Sequence, residues 1–132
     1  MGMPKLHRRM IFYLSLEDFQ KVKAVGFLRG DGDTYGPSAR ILMNLGIKNY
    51  DPKLDEGEEG RRFKRRLDFL ISTEEFDKIK HIAQSRGDGN KYSKVSRYLV
   101  HIGIETYLKT LNDKERADFD FIMGRVSIIE KD

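Results

Sequence analysis

The chain has 132 residues and a mass of 15.4 kDa, with 39% hydrophobic residues, 35% charged residues and a formal net charge of +4. That balance fits a soluble globular protein with a charged exterior and excludes a disordered chain, while no apolar run approaches the roughly 18 residues that span a bilayer. There is no cysteine and only three histidines (His7, His81 and His101), which excludes disulfides and thiolate metal sites and leaves no cofactor expected.

Met1 to Arg9 lacks the apolar core and cleavage site of a signal peptide, so the expected place of work is the cytoplasm of the producing cell. The cysteine-free, charge-rich composition leans towards a thermophilic source. The first element is a basic arm, Lys5, His7 and Arg8. Alternation follows: Met10, Phe12 and Leu14 point one way and Arg9, Ile11 and Tyr13 the other, which predicts a short strand with one buried face. Ser15 sits at a helix N-cap with Glu17 and Asp18 in the first turn. The helix it opens has Phe19, Val22 and Val25 as its buried stripe and ends at Gly30-Asp31-Gly32-Asp33. A second helix starts near Pro37-Ser38. Its residues Ile41, Leu42, Met43, Leu45 and Ile47 are apolar on most sides, so other helices must enclose it.

Asp51 to Gly60 carries a charge of about −4 and is predicted to be a solvated linker. Arg61 to Arg66, at about +5, forms a second basic arm with Arg61, Arg62, Lys64 and Arg65. The pattern then recurs. Leu67, Phe69 and Ile71 oppose Arg66, Asp68 and Leu70 along a strand, and Ser72 precedes Glu74 and Glu75 at a helix start. Phe76, Ile79 and Ile82 form the next stripe, and Gly87-Asp88-Gly89-Asn90 the next turn. From Ser93 a helix carries Tyr98, Leu99, Val100, Ile102 and Ile104. Asn112 is placed to cap a last helix, Asp113 to about Met123, with Ala117, Phe121 and Ile122 as its apolar contacts.

A shift of 57 positions without a gap lays Arg8 to Tyr50 over Arg65 to Tyr107 with about 18 identities in 43 positions. The expected organisation is a first repeat with its basic arm (1–50), an acidic linker (51–60), a second repeat with its arm (61–110) and a C-terminal helix and tail (111–132). Units near 50 residues bury too little surface alone, so the two are expected to share one core. Gly46 and Gly103, poor helix residues that recur at the same place, predict two helices crossing closely there.

The order of these features resembles the ribbon-helix-helix family of DNA-binding proteins, which includes the Arc and MetJ type repressors. It rests on the basic alternating strand, the serine cap, the glycine turn and the Ser93 to Arg97 start of the second helix, and covers about two thirds of the chain. The resemblance implies a mainly α fold with a short antiparallel β-ribbon, in which the duplicated unit forms an intramolecular pseudo-dimer beside a C-terminal helix. In that family the ribbon enters the major groove of duplex DNA, which admits a two-stranded ribbon. By family position Arg9, Ile11, Tyr13, Arg66, Asp68 and Leu70 would face base edges. Lys5, His7, Arg8, Arg61, Arg62, Lys64 and Arg65, with the helix ends near Ser38 and Ser93, would meet phosphate. Similar tandem arrangements are encoded by archaeal viruses, which implies the host cytoplasm and its nucleoid. The expected function is sequence-specific transcriptional regulation, in the sense of a repressor, with self-association on DNA left open.

Inward strand positions match between repeats and outward ones diverge (Ile11 against Asp68, Tyr13 against Leu70), so the target is expected to be asymmetric. Outward Ile11 and Leu70 depart from the family pattern, as does the long turn from Gly30 to Pro37; a covering by the tail Val126 to Ile129 is the alternative to DNA contact. Arg40 and Arg97 are expected to be structural, bonding the acidic first turn of helix one. A rival function is an antitoxin-like, protein-binding module in which Leu111 to Asp132 holds a partner. An enzyme is not expected, because no phosphate loop, metal-ligand spacing or nucleophile with a placed base can be assembled, and Gly30 to Asp33 lacks the downstream glutamate of a calcium loop.

Overall fold

Strand β1 (Arg8–Leu14) pairs antiparallel with β2 (Arg65–Ile71), Arg8 opposite Ile71 and Ile11 opposite Asp68. This computed structural model describes residues 5–6, 8–54 and 62–131, so the expected sites His7 and Arg61 and most of the acidic linker lie outside the described residues. Helices α1 (Leu16–Leu28) and α2 (Gly36–Lys48) follow β1, and a single 3-10 turn covers Pro52–Leu54. After β2 come α3 (Thr73–Arg86), α4 (Tyr92–Lys109) and α5 (Asp113–Ile129). The described chain is thus mainly helical, five α-helices with one two-stranded antiparallel sheet.

The strands form as their alternation dictates. Met10, Phe12, Leu14, Leu67, Phe69 and Ile71 are all buried, and Phe12 meets Phe69 edge to face across the ribbon, ring centres 5.8 Å apart. Their fellow core residues come from helix stripes: Phe19, Val22 and Val25 of α1, Ile79 and Ile82 of α3, Leu42 and Met43 of α2, and Leu99, Val100 and Ile104 of α4. Phe76 is only partly buried, its ring set edge to face against Tyr92.

Both serine caps are present. The Ser72 hydroxyl accepts from the Glu75 amide at 3.1 Å, and the Glu75 carboxylate accepts from the Ser72 amide at 2.8 Å, a complete capping box. The Ser15 hydroxyl accepts from the Asp18 amide at 3.2 Å, but the Asp18 carboxylate turns away to lie 3.0 Å from Nδ1 of His101 on α4. Gly30 and Gly87 close the first helices at positive φ, 85° and 80°, where a side chain would be strained.

At the centre α2 and α4 pack along one another without a gap. A Cβ built on Gly46 would fall 1.8 Å from the Leu99 carbonyl oxygen, and one built on Gly103 would fall 1.8 Å from that of Leu42. Only hydrogen fits at either crossing.

The last helix corrects the expectation. α5 runs on to Ile129, and its buried residues are Phe119 and Val126 with Ile122 and Met123 partly covered, while Ala117 and Phe121 face solvent. The stripe Phe119, Ile122, Met123, Val126 has the i, i+3, i+4, i+7 spacing of a packed face, and α1 is the surface that selects it. Gly124, next after Met123, weakens a helix without ending it and no proline follows, so the helix continues. Its C-terminal end is tied down by Lys23 of α1, whose ammonium lies 2.6 Å from Glu130 and 3.2 Å from Asp33. Burial pushes the Lys23 pKa down, but Glu130 and Asp33 outweigh it and hold the ammonium above the usual lysine value.

Candidate nucleic-acid interface

Because successive side chains of a strand alternate, burying one face of the ribbon sets six residues on the other. The register arranges them in three cross-strand rows: Arg9 with Leu70, Ile11 with Asp68, Tyr13 with Arg66. All six expected base-facing residues therefore share one surface. Ile11, Tyr13 and Leu70 are 42%, 46% and 48% exposed, so the tail does not cover them. Val126 is buried and Ile128 and Ile129 are exposed on α5.

The chemistry of this face is centred on Asp68. Nε of Arg9 donates to one carboxylate oxygen at 2.8 Å and its Nη2 donates to the other, while Nη2 of Arg66 lies 3.5 Å away. Hydrogen bonding to Arg9, with the charges of Arg9 and Arg66, holds the Asp68 carboxyl below its usual range against the opposing effect of burial, and the same pairing raises the Arg9 pKa. Two guanidinium groups and one carboxylate leave the face with a net charge of +1. The pairing is fork to fork, the geometry in which a guanidinium is held in plane. Strand order alone did not disclose this pair. Arg9 and Asp68 become diagonal neighbours only once Ile11 is set opposite Asp68.

The basic arms divide. Lys5, Arg62 and Lys64 are exposed and make no ion pair among the described residues. Arg8 lies over the Phe76 ring at 3.7 Å. Arg65 is drawn to the far end of α5, its Nη2 donating to the Lys131 carbonyl at 3.0 Å with Glu130 at 3.9 Å. Ser38 differs from its expected role, because its side chain is buried and its hydroxyl donates to the carbonyls of Val22 and Tyr35. Whatever the amide end of α2 offers an anion, the Ser38 hydroxyl is spent inside. Ser93 is exposed in the first turn of α4.

Arg40 makes the expected bond to an acidic helix start. Arg40 donates through Nε to both Glu75 oxygens at 2.9 and 3.0 Å, and Asn44 adds a further bond to Glu75, so α2 grips the first turn of α3. Burial pushes the Glu75 carboxyl up, yet the bonds from Ser72, Asn44 and Arg40 prevail and hold it below the usual range. The Arg97 guanidinium lies 4.2 Å over the Phe63 ring, a contact that pins the residues just before β2. Beside the ribbon, Leu6, Leu70, and Ile41 and Leu45 of α2 line an apolar groove of about 830 Å³.

Comparisons with protein-family models, curated proteins and solved structures return no match to this chain. Among the described residues no helix is long and apolar enough to cross a membrane.

Proposed function

We propose that the chain is a tandem ribbon-helix-helix regulator of transcription, in the sense of a repressor, that inserts the β1/β2 ribbon into the major groove of duplex DNA. The observation that carries this reading is the uncovered outward face of the ribbon, with Arg9 and Arg66 set either side of Asp68. Arginine can grip guanine O6 and N7, aspartate accepts from cytosine N4, and Ile11 and Leu70 suit thymine methyl groups. Lys5, Arg62 and Lys64 flank the face as phosphate contacts, which give salt-dependent affinity without reading sequence.

An intramolecular pseudo-dimer is the architecture this reading requires, and several geometries support it. Ile11 lies opposite Asp68, 57 positions on, so the ribbon is centred on two residues related by the repeat offset. The glycine crossings pair Gly46 with Leu99 and Gly103 with Leu42, again each 57 apart from its counterpart. Phe19 meets Tyr35 edge to face as Phe76 meets Tyr92.

A gel-shift titration of random and selected duplexes at two salt concentrations tests the proposal. Wild type is expected to bind, more weakly as salt rises, and Arg9→Ala or Arg66→Ala to lose about 1–3 kcal/mol of base discrimination while retaining non-specific binding. Absence of binding at low salt overturns it.

A further inference from the structure

Helix α5 has two apolar faces, and α1 covers only one. Opposite the buried stripe, Ala117, Phe121, Gly124 and Ile128 are all exposed, Phe121 at 65% and Ile128 at 68%. At 100° per residue these four fall within an arc of about 60° and repeat with spacings of four, three and four, the a/d pattern of a helix seam. Gly124 has no account within a single chain. A Cβ there would touch nothing within 4 Å, so its cost of about 1 kcal/mol against alanine in a helix is uncompensated. The two glycines at the core helix crossing, Gly46 and Gly103, sit where a neighbouring helix backbone leaves room for hydrogen alone.

We propose that this stripe is a self-association surface, on which α5 of a second copy of the chain packs antiparallel. The size pattern is self-complementary in that direction. With the two-fold axis between Ile122 and Met123, Phe121 of one chain lies over Gly124 of the other, and Ile128 over Ala117, so each large residue meets a small one in four successive layers. Charge agrees. Asp118 and Arg125 lie on the same flank of the stripe, and antiparallel pairing brings Asp118 of each copy beside Arg125 of the other. A parallel pair would instead stack Phe121 on Phe121 and leave Gly124 facing Gly124 across a void, with Asp118 beside Asp120. Four layers are few, which places the dissociation constant on the order of micromolar or weaker. The pairing is independent of DNA, and its failure would leave the ribbon reading untouched.

Sedimentation equilibrium of the free chain tests it. The mass should rise from 15.4 kDa towards twice that value with concentration. Phe121→Asp and Gly124→Glu should each raise the dissociation constant at least about tenfold. Gly124→Glu places its side chain in solvent in the monomer and improves helix propensity, so at low protein concentration unchanged circular dichroism and a thermal midpoint no lower than that of wild type are expected beside the lost dimer. Orientation follows from oxidising a chain that has no cysteine of its own: a mixture of Ala117→Cys and Ile128→Cys chains should cross-link, and neither alone. A monomer at all concentrations, a dimer that both substitutions leave intact, or cross-linking only between like chains overturns the proposal.

Discussion

Glu75 shows how much one side chain can hold. It completes the box with Ser72 and receives Arg40 and Asn44 from α2, so cap and inter-helix tether share one carboxylate. Its pKa lies below the usual value in the folded chain, hence it favours folding above the unfolded-state value near 4.3, and this contribution is lost as pH falls through the folded value. Glu75→Gln should therefore lower stability at neutral pH by about 1–3 kcal/mol and leave a flatter acid limb when urea midpoints are measured between pH 7 and pH 3. A mutant as acid-sensitive as wild type would mean that other carboxylates dominate. The sequence reading anticipated Arg40 as a tether to an acidic helix start, because a cation there has few other uses. It missed Arg9–Asp68, since a cross-strand pair exists only in a register and neither strand states its register alone.

Among the elements, the strands were legible from their alternation, α1 and α3 because period, serine caps and turn glycines agree, and α2 and α4, which carry no side-chain cap, from their apolar runs. Ser72 with Glu75, and the alternation from Met10 to Leu14, leave little choice. α5 was legible in its cap, Asn112, and not in its face. Ala117, Phe121 and Ile128 make as good an apolar stripe as Phe119, Ile122 and Val126, and which one is buried depends on where α1 lies. The α2/α4 crossing was foreseen from Gly46 and Gly103 alone, and it gives the sharpest stability test. Gly46→Ala drives a methyl into the Leu99 carbonyl, so the helices must part, at a cost of at least about 3 kcal/mol in denaturant unfolding. Gly124→Ala, with nothing near it, should be neutral or slightly stabilising in the same assay at low protein concentration.

For the molecule as a whole, the inward residues of β1 and β2 are alike, Phe12 with Phe69 and Leu14 with Ile71, and the outward ones are not. Under the proposed function the three rows Arg9/Leu70, Ile11/Asp68 and Tyr13/Arg66 present different chemistry on either side of the centre. Selection of binding sites from a random duplex pool should then return an asymmetric consensus; a perfect palindrome would mean that the divergent residues do not read bases. The most direct measurement is amide chemical-shift mapping of the labelled chain titrated with a selected duplex at low salt. The largest shifts are expected at Arg9, Ile11, Tyr13, Arg66, Asp68 and Leu70, smaller ones at Lys5, Arg62 and Lys64, and little change along α5. Shifts that spare the ribbon and gather elsewhere, or none at all at low salt, would contradict the proposed function.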